Sequence, residues 1–211
     1  MTTRQDPRLP KYLDALHFSF EMLGYAYSSL YPSCLKIATD PQALYAALAH
    51  AWTFIDTLHR LREVSQAIPG LGRRQPQLRM FLDKSELAET YRHYIQHLRS
   101  ELANRDCAQF PVWGSLSWQD AVNPRTCHIA IMGVLVDGTD FPGGVWDQVE
   151  SKWVSTVSLS IQGTSFHFDR IRLAVEQYRG FVIPWLANQV TSPSSQHGLL
   201  SIVSATINDE A

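Results

Sequence analysis

Apolar residues in the first half of the chain recur every three or four positions, and in the second half they alternate. Leu13, Leu16, Phe20, Leu23 and Tyr27 share one helical face and predict a first helix over 9–31, stopped by Pro32. Asp40 and Pro41 open a second, the first as an oxygen cap and the second in the first turn, where a missing N–H costs nothing. That helix carries Leu44, Leu48, Trp52, Ile55 and Leu58 and runs to 67 or 68, ahead of Pro69-Gly70. It is longer than most globular helices and apolar on several sides, which suits a bundle or an oligomer seam. A helical turn at 78–82 follows. A third helix is predicted from Asp83, with Glu86 completing a capping box, to 104.

From Phe110 the period becomes two. Val112, Leu116 and Trp118 alternate with Trp113, Ser115 and Ser117, predicting a half-buried strand. Residues 127–136 are apolar on both faces and predict the central strand, closed by Asp137-Gly138 and Pro142-Gly143-Gly144. In 152–161, Trp153, Val157, Leu159 and Ile161 oppose Thr156, Ser158 and Ser160. Three such strands make an antiparallel meander, which needs a helix over its apolar face. Residues 168–190 supply one, with Ile171, Val175, Tyr178 and Val182 in register and a kink at Pro184. The expected fold is mainly α, of the α+β class, in a single domain over 1–211. Helices fill 9–106, a three-stranded meander at 110–162 is inserted before the closing helix 168–190, and a tail spans 191–211. The tail is rich in Ser and Thr, then briefly apolar, and is expected to pack on this chain or a neighbouring one.

Composition narrows the function. With 18 Lys+Arg against 20 Asp+Glu, nucleic acid has no global electrostatic attraction to the chain, so any contact needs a local basic patch. Arg73 and Arg74, with Arg79 and Lys84, form the candidate for RNA backbone contact, though a solvated loop accounts for them as well. Three cysteines, Cys34, Cys107 and Cys127, make no disulfide framework, and Cys107 and Cys127 are expected as small buried hydrophobes. Trp113, Trp118, Trp146 and Trp153 are expected in the core rather than as base-stacking platforms. The N-terminus has no apolar signal core, and the run 129–136 is too short to span a bilayer. A cytoplasmic protein without membrane association is expected.

The most informative stretch is Glu89-Thr-Tyr-Arg92-His93-Tyr-Ile-Gln-His97-Leu-Arg99. An arginine, a polar residue directly after it and a histidine five positions on resemble the R-x4-6-H signature of HEPN domains (higher eukaryotes and prokaryotes nucleotide-binding). The resemblance covers roughly 43–104. It implies a HEPN-like helical bundle and a homodimer with Arg92, His93 and His97 at the seam. It also implies a metal-independent endoribonuclease without cofactor, of the kind found in toxin and defence systems, with RNA as substrate and a protein partner or antitoxin. Arg99 stands where many toxin members carry a tyrosine modified by antitoxins, which argues against that regulation here.

The chemistry is coherent by itself. RNA cleavage through its own 2′-hydroxyl needs a base for that proton, which suits His97, and a cation for the phosphorane charge, which suits the planar fork of Arg92. The product would carry a 2′,3′-cyclic phosphate. Five residues turn a helix by about 140°, so Arg92 and His97 do not share one line, and two antiparallel copies across a dyad would bring both pairs to one phosphate. Three alternatives stand beside this. One is a simply solvated helix face. Another is a non-catalytic dimeric interaction module with the meander as its docking edge. Glu89, His93, His97 and Glu101 also form a stripe spaced by four, and Asp56, His59 and Glu63 a second one, so His59, Glu63, His93 and His97 would hold a metal if the stripes met inside the bundle.

Overall fold

The computed structural model describes residues 6–72, 74–103, 110–134, 137–139, 144–147 and 149–190. Its elements are α1 (Leu9–Lys36), α2 (Ala43–Ala67), α3 (Pro76–Lys84), α4 (Leu87–Gln96), α5 (Leu98–Ala103), β1 (Ser115–Gln119), β2 (Cys127–Ile131), β3 (Trp146–Asp147), β4 (Lys152–Trp153), β5 (Val157–Ile161), β6 (Thr164–His167) and α6 (Phe168–Ala187). The chain is mainly helical with a small antiparallel sheet, as the two periodicities require. The predicted tail, Arg73 and Cys107 lie outside the described residues.

The helices differ from expectation at their ends. Pro32 lies inside α1 instead of stopping it. An interior proline costs about 3 kcal/mol, but the turn it occupies buries Leu30 and Cys34 completely, and a buried leucine alone returns about 1.5–3 kcal/mol. The same burial pushes the Cys34 thiol up to about 12, so it behaves as a small hydrophobe. Asp40 does accept a backbone N–H, that of Gln42 at 3.0 Å, but regular helix begins only at Ala43. The single helix expected over 83–104 is three pieces, broken at 85–86 and at His97, and neither Asp83 nor Glu86 caps α4. The first break centres on Ser85, fully buried, whose hydroxyl donates to the Phe81 carbonyl at 2.6 Å.

The sheet also differs. The four-stranded order is β2-β1-β5-β6, all antiparallel, with β3 and β4 forming a separate ladder. The apolar 127–136 run is thus an edge strand, ending at Ile131, and β1 and β5 are central. The 152–161 segment splits into β4 and β5. A fourth strand, β6, returns through Gln162 and Gly163, both at positive φ (48° and 77°), the geometry of a tight hairpin turn. At the start of β1, beside this hairpin, Gly114 sits at φ 80°, and a Cβ there would lie 2.3 Å from the Ser160 carbonyl oxygen, so only glycine fits. The β1–β2 connection is held by Asp120. Its carboxylate accepts the His128 ring at 2.8 Å and the N–H groups of Asn123 and Val122, bonds that hold it down to about 2.

The cross-strand row Leu116, Leu159 and Phe166 is fully buried against the helices. Phe54 of α2 meets Phe166 and Phe168 edge-on at 6.2 and 5.4 Å, and Phe81 of α3 stacks on Tyr178 of α6 at 4.3 Å. The entry to α6 is fastened by Asp169. Its carboxylate accepts the Thr156 N–H, the Thr156 hydroxyl at 3.1 Å, the Ser155 hydroxyl at 3.2 Å and the Tyr27 hydroxyl. One side chain therefore joins α1, the lead-in to β5 and the positive end of α6. Burial, followed by the hydrogen bond to Asp169, raises the Tyr27 phenol above its ordinary value. Removing the carboxylate strands several part-buried donors, so Asp169→Ala should cost about 2–4 kcal/mol and Tyr27→Phe about 1 kcal/mol. Urea unfolding measures both; an unchanged midpoint for Asp169→Ala would contradict this role.

Candidate functional site

The site begins with Arg62 of α2, an arginine only 5% exposed. A buried guanidinium must spend its donors on fixed acceptors. Nη1 donates to the Leu82 carbonyl at the end of α3 and to the Ser85 hydroxyl at 2.7 Å; Nε and Nη2 donate to Glu89 Oε1 at 3.3 and 2.8 Å. These partners explain why the chain breaks at 85 and restarts as α4. From that start, Ala88, Tyr91 and Tyr94 turn inward. Tyr91 donates to the Leu159 and Thr164 carbonyls at 2.7 and 2.6 Å, and Tyr94 to the Val112 carbonyl at 2.7 Å. Burial holds the Tyr91 phenol well above its usual range, so it serves as a neutral strut between α4 and the sheet. Arg92 and His93 are left on the outer side.

Arg92 turns toward α2. Its Nε lies 3.2 Å from Asp56 Oδ1, and Nη1 lies 3.9 Å from Glu63 Oε2. Asp56 also accepts Arg60 Nε at 2.8 Å, and Glu63 lies 3.4 Å from His59 Nε2. His93 and His97 are both exposed, with ring centroids 4.3 Å apart. His97 ends α4, its N–H bonded to the His93 carbonyl at 3.0 Å, while its own carbonyl accepts Ser100 N–H at 2.8 Å and starts α5. This break brings the two imidazoles together. A cleft of about 390 Å³ beside them is lined by His59, Glu89, Thr90, Arg92, His93 and Gln96. His59 Nδ1 is buried and has no hydrogen-bond partner among the described residues.

The structure thus gathers Arg92, His93, His59 and Glu63 at one α2–α4 seam, and His97 meets it through the His93 ring. Arg74 does not join them; it lines a separate cleft of about 450 Å³ with Arg79 and Lys84. The two stripes considered for a metal do approach, but their carboxylates are committed to cations: Asp56 and Glu63 to Arg92, Glu89 to Arg62. Glu101 accepts Gln162 Nε2 at 3.0 Å. Among the described residues no group of three His, Cys, Asp or Glu side chains is set to hold a metal ion. Arg62 and Tyr91, which position the site, were not singled out from the sequence; an arginine amid the apolar α2 face was the available signal. Two expectations of burial are corrected. Cys127 is exposed on the edge strand, and Trp113 and Trp146 are 41% and 38% exposed, while Trp118 is buried as expected.

No protein-family model, curated protein or solved structure matches the chain. Among the described residues no helix is long and apolar enough to cross a membrane. The energetic contrast within the seam is directly measurable. Arg62→Ala leaves buried acceptors unpaired and should cost about 3–5 kcal/mol. Arg60→Ala breaks only a solvent-exposed pair and should cost about 0–1 kcal/mol. Equal unfolding midpoints for the two variants would contradict the role given to Arg62.

Proposed function

We propose that the α2–α4 seam is the site of a HEPN-like, metal-independent endoribonuclease. The observation that carries this is the exposed pair of imidazoles, with ring centroids 4.3 Å apart, one of which, His93, lines the same cleft as Arg92. Two histidines and a cation are the minimum that in-line attack of a ribose 2′-hydroxyl requires. His97 takes the 2′-hydroxyl proton, His93 returns a proton to the leaving 5′-oxygen, and Arg92 stabilises the charge on the phosphorane. The bonds balance: the 2′-oxygen–phosphorus bond forms as the 5′-oxygen–phosphorus bond breaks, giving a cyclic phosphate and a 5′-hydroxyl. Asp56 holds the guanidinium in position before substrate arrives, and phosphate oxygens then replace the carboxylate as its partner. A homodimer with this seam near its dyad belongs to the same reading, since a second copy adds a second arginine to the phosphate.

A non-catalytic interaction module is the second reading. It is favoured by the neutralisation of Arg92 by Asp56 and Glu63, which lowers its attraction for phosphate. Kinetics of cleavage of a single-stranded RNA separates the two. His97→Ala should lower the rate by about 10²–10⁴-fold, as loss of a positioned base does. Arg92→Lys should lower it at least tenfold, because a point charge cannot replace the fork. Lys11→Ala, on the exposed face of α1, should cut normally, and DNA of the same sequence should resist. If His97→Ala cuts RNA as fast as the wild-type chain, the nuclease reading fails.

A further inference from the structure

A second cleft lies at the β2 edge of the sheet, the edge opposite β6. Its volume is about 850 Å³, within the range of small-molecule sites, and its walls are chemically mixed. Trp146 and Trp153 are cross-strand partners in the β3–β4 ladder, with rings edge to face at 5.0 Å. A ladder of two residue pairs does not hold itself in water. This one is fixed at its turn, where the Asp147 carboxylate accepts the N–H groups of Val149 and Glu150 at 2.9 and 3.0 Å and Ser151 takes φ 48°. Its other end is fixed by the Val154 N–H donating to the carbonyl of the buried Val145 at 2.9 Å, which leaves Trp146 exposed and Trp153 half-buried at the cleft. Facing the pair, β2 presents Cys127 and Ile129, both exposed.

Arg125 and Lys152 complete the lining. Lys152 pairs with Glu150, whereas Arg125 is exposed and makes no ion pair among the described residues. The polar face of the sheet continues from the cleft: Ile129 is in register with Ser117, Ser117 with Ser158, and Ser158 with His167. In that row Ser117 Oγ, Ser158 Oγ and His167 Nδ1 are buried without a hydrogen-bond partner among the described residues. That row is covered by Gly144 and does not line the cleft. What marks a ligand site is the cleft itself, with two tryptophan rings on one wall and, in the same lining, a cation without an ion pair among the described residues.

We propose that this cleft binds a small anionic aromatic molecule, its flat ring against Trp146 and Trp153 and its carboxylate or phosphate on Arg125. Aromatic faces accept a planar ring, and the guanidinium fork matches a two-oxygen anion. The site is independent of the α2–α4 seam. Cys127 supplies a local reporter, because a ligand in the cleft covers its thiol.

The test uses 2-naphthoate and adenosine 5′-monophosphate as probes, with 2-naphthamide and adenosine as their uncharged counterparts. Calorimetry follows affinity, and mass spectrometry follows iodoacetamide alkylation of Cys127. At least one anion should bind saturably and slow Cys127 alkylation severalfold, with its uncharged counterpart about tenfold weaker or worse. Arg125→Ala, on an exposed turn, should weaken binding about tenfold, and Trp153→Phe should retain more affinity than Trp153→Ala. His97→Ala should leave binding unchanged, which separates this site from the proposed nuclease centre. The proposal is overturned if neither anion protects Cys127 at millimolar concentration, or if the uncharged probes bind equally well. It is also overturned if Arg125→Ala leaves both affinity and protection intact.

Discussion

A charged guanidinium withdrawn from water sets the shape of the candidate site. Arg62 can be buried only if acceptors reach its fixed donors from several directions, and they come from the last turn of α3, the link at Ser85 and the first turn of α4. Satisfying it breaks the helix and sets the rotation of α4. Once that rotation is set, Tyr91 and Tyr94 go to the core, and Arg92 and His93 go to the cleft. The second break, at His97, then folds one imidazole back onto the other. Stability and site geometry are here the same set of bonds.

The sheet is the other half of this support. Tyr91 and Tyr94 end on backbone carbonyls of the β5–β6 hairpin and of the segment before β1, so α4 rests on the sheet as much as on α2. Asp169 secures that platform in turn, tying the residues before β5 to α1 and α6. The inserted strands thereby acquire a structural purpose toward the helical site on one face. The serine row on their other face is buried as well, and the separate cleft lies beyond it, between the β2 edge and the tryptophan hairpin.

Much of the fold was legible because it follows from burial at a fixed period. α1 and α6 bury the residues their 3.6-residue repeat singles out, with Tyr27 half-buried. α2, in contrast, buries Ala47, Ala51 and Phe54 with Ile55 and Leu58 and leaves Leu44, Leu48 and Trp52 half-buried. β1, where alternation predicts a half-buried strand, is buried on both faces, serines included, as β5 is. What escaped were features decided by distant partners. The break at Ser85 depends on an arginine 23 residues earlier. The apolar 127–136 run looked central, yet its outward side chains line a cleft, which an apolar face serves as well as a core does. The β6 hairpin did leave a signal, Gln162-Gly163 between two alternating segments, that went unused. Of the site, the adjacency of Arg92 and His93 was readable, and so was the approach of the Asp56, His59 and Glu63 stripe. The use of those carboxylates was not, because whether a carboxylate meets a metal or an arginine depends on which side chains face it across the seam.

The most direct test is the chemistry of the ends left on a cut RNA. The purified chain would be incubated with a single-stranded RNA in the presence of EDTA, and the fragments identified by mass spectrometry. A 2′,3′-cyclic phosphate on one fragment and a 5′-hydroxyl on the other are the result expected from an imidazole pair acting on the ribose hydroxyl. Fragments ending in a 3′-hydroxyl and a 5′-phosphate, or cleavage that disappears with the chelator, would contradict it.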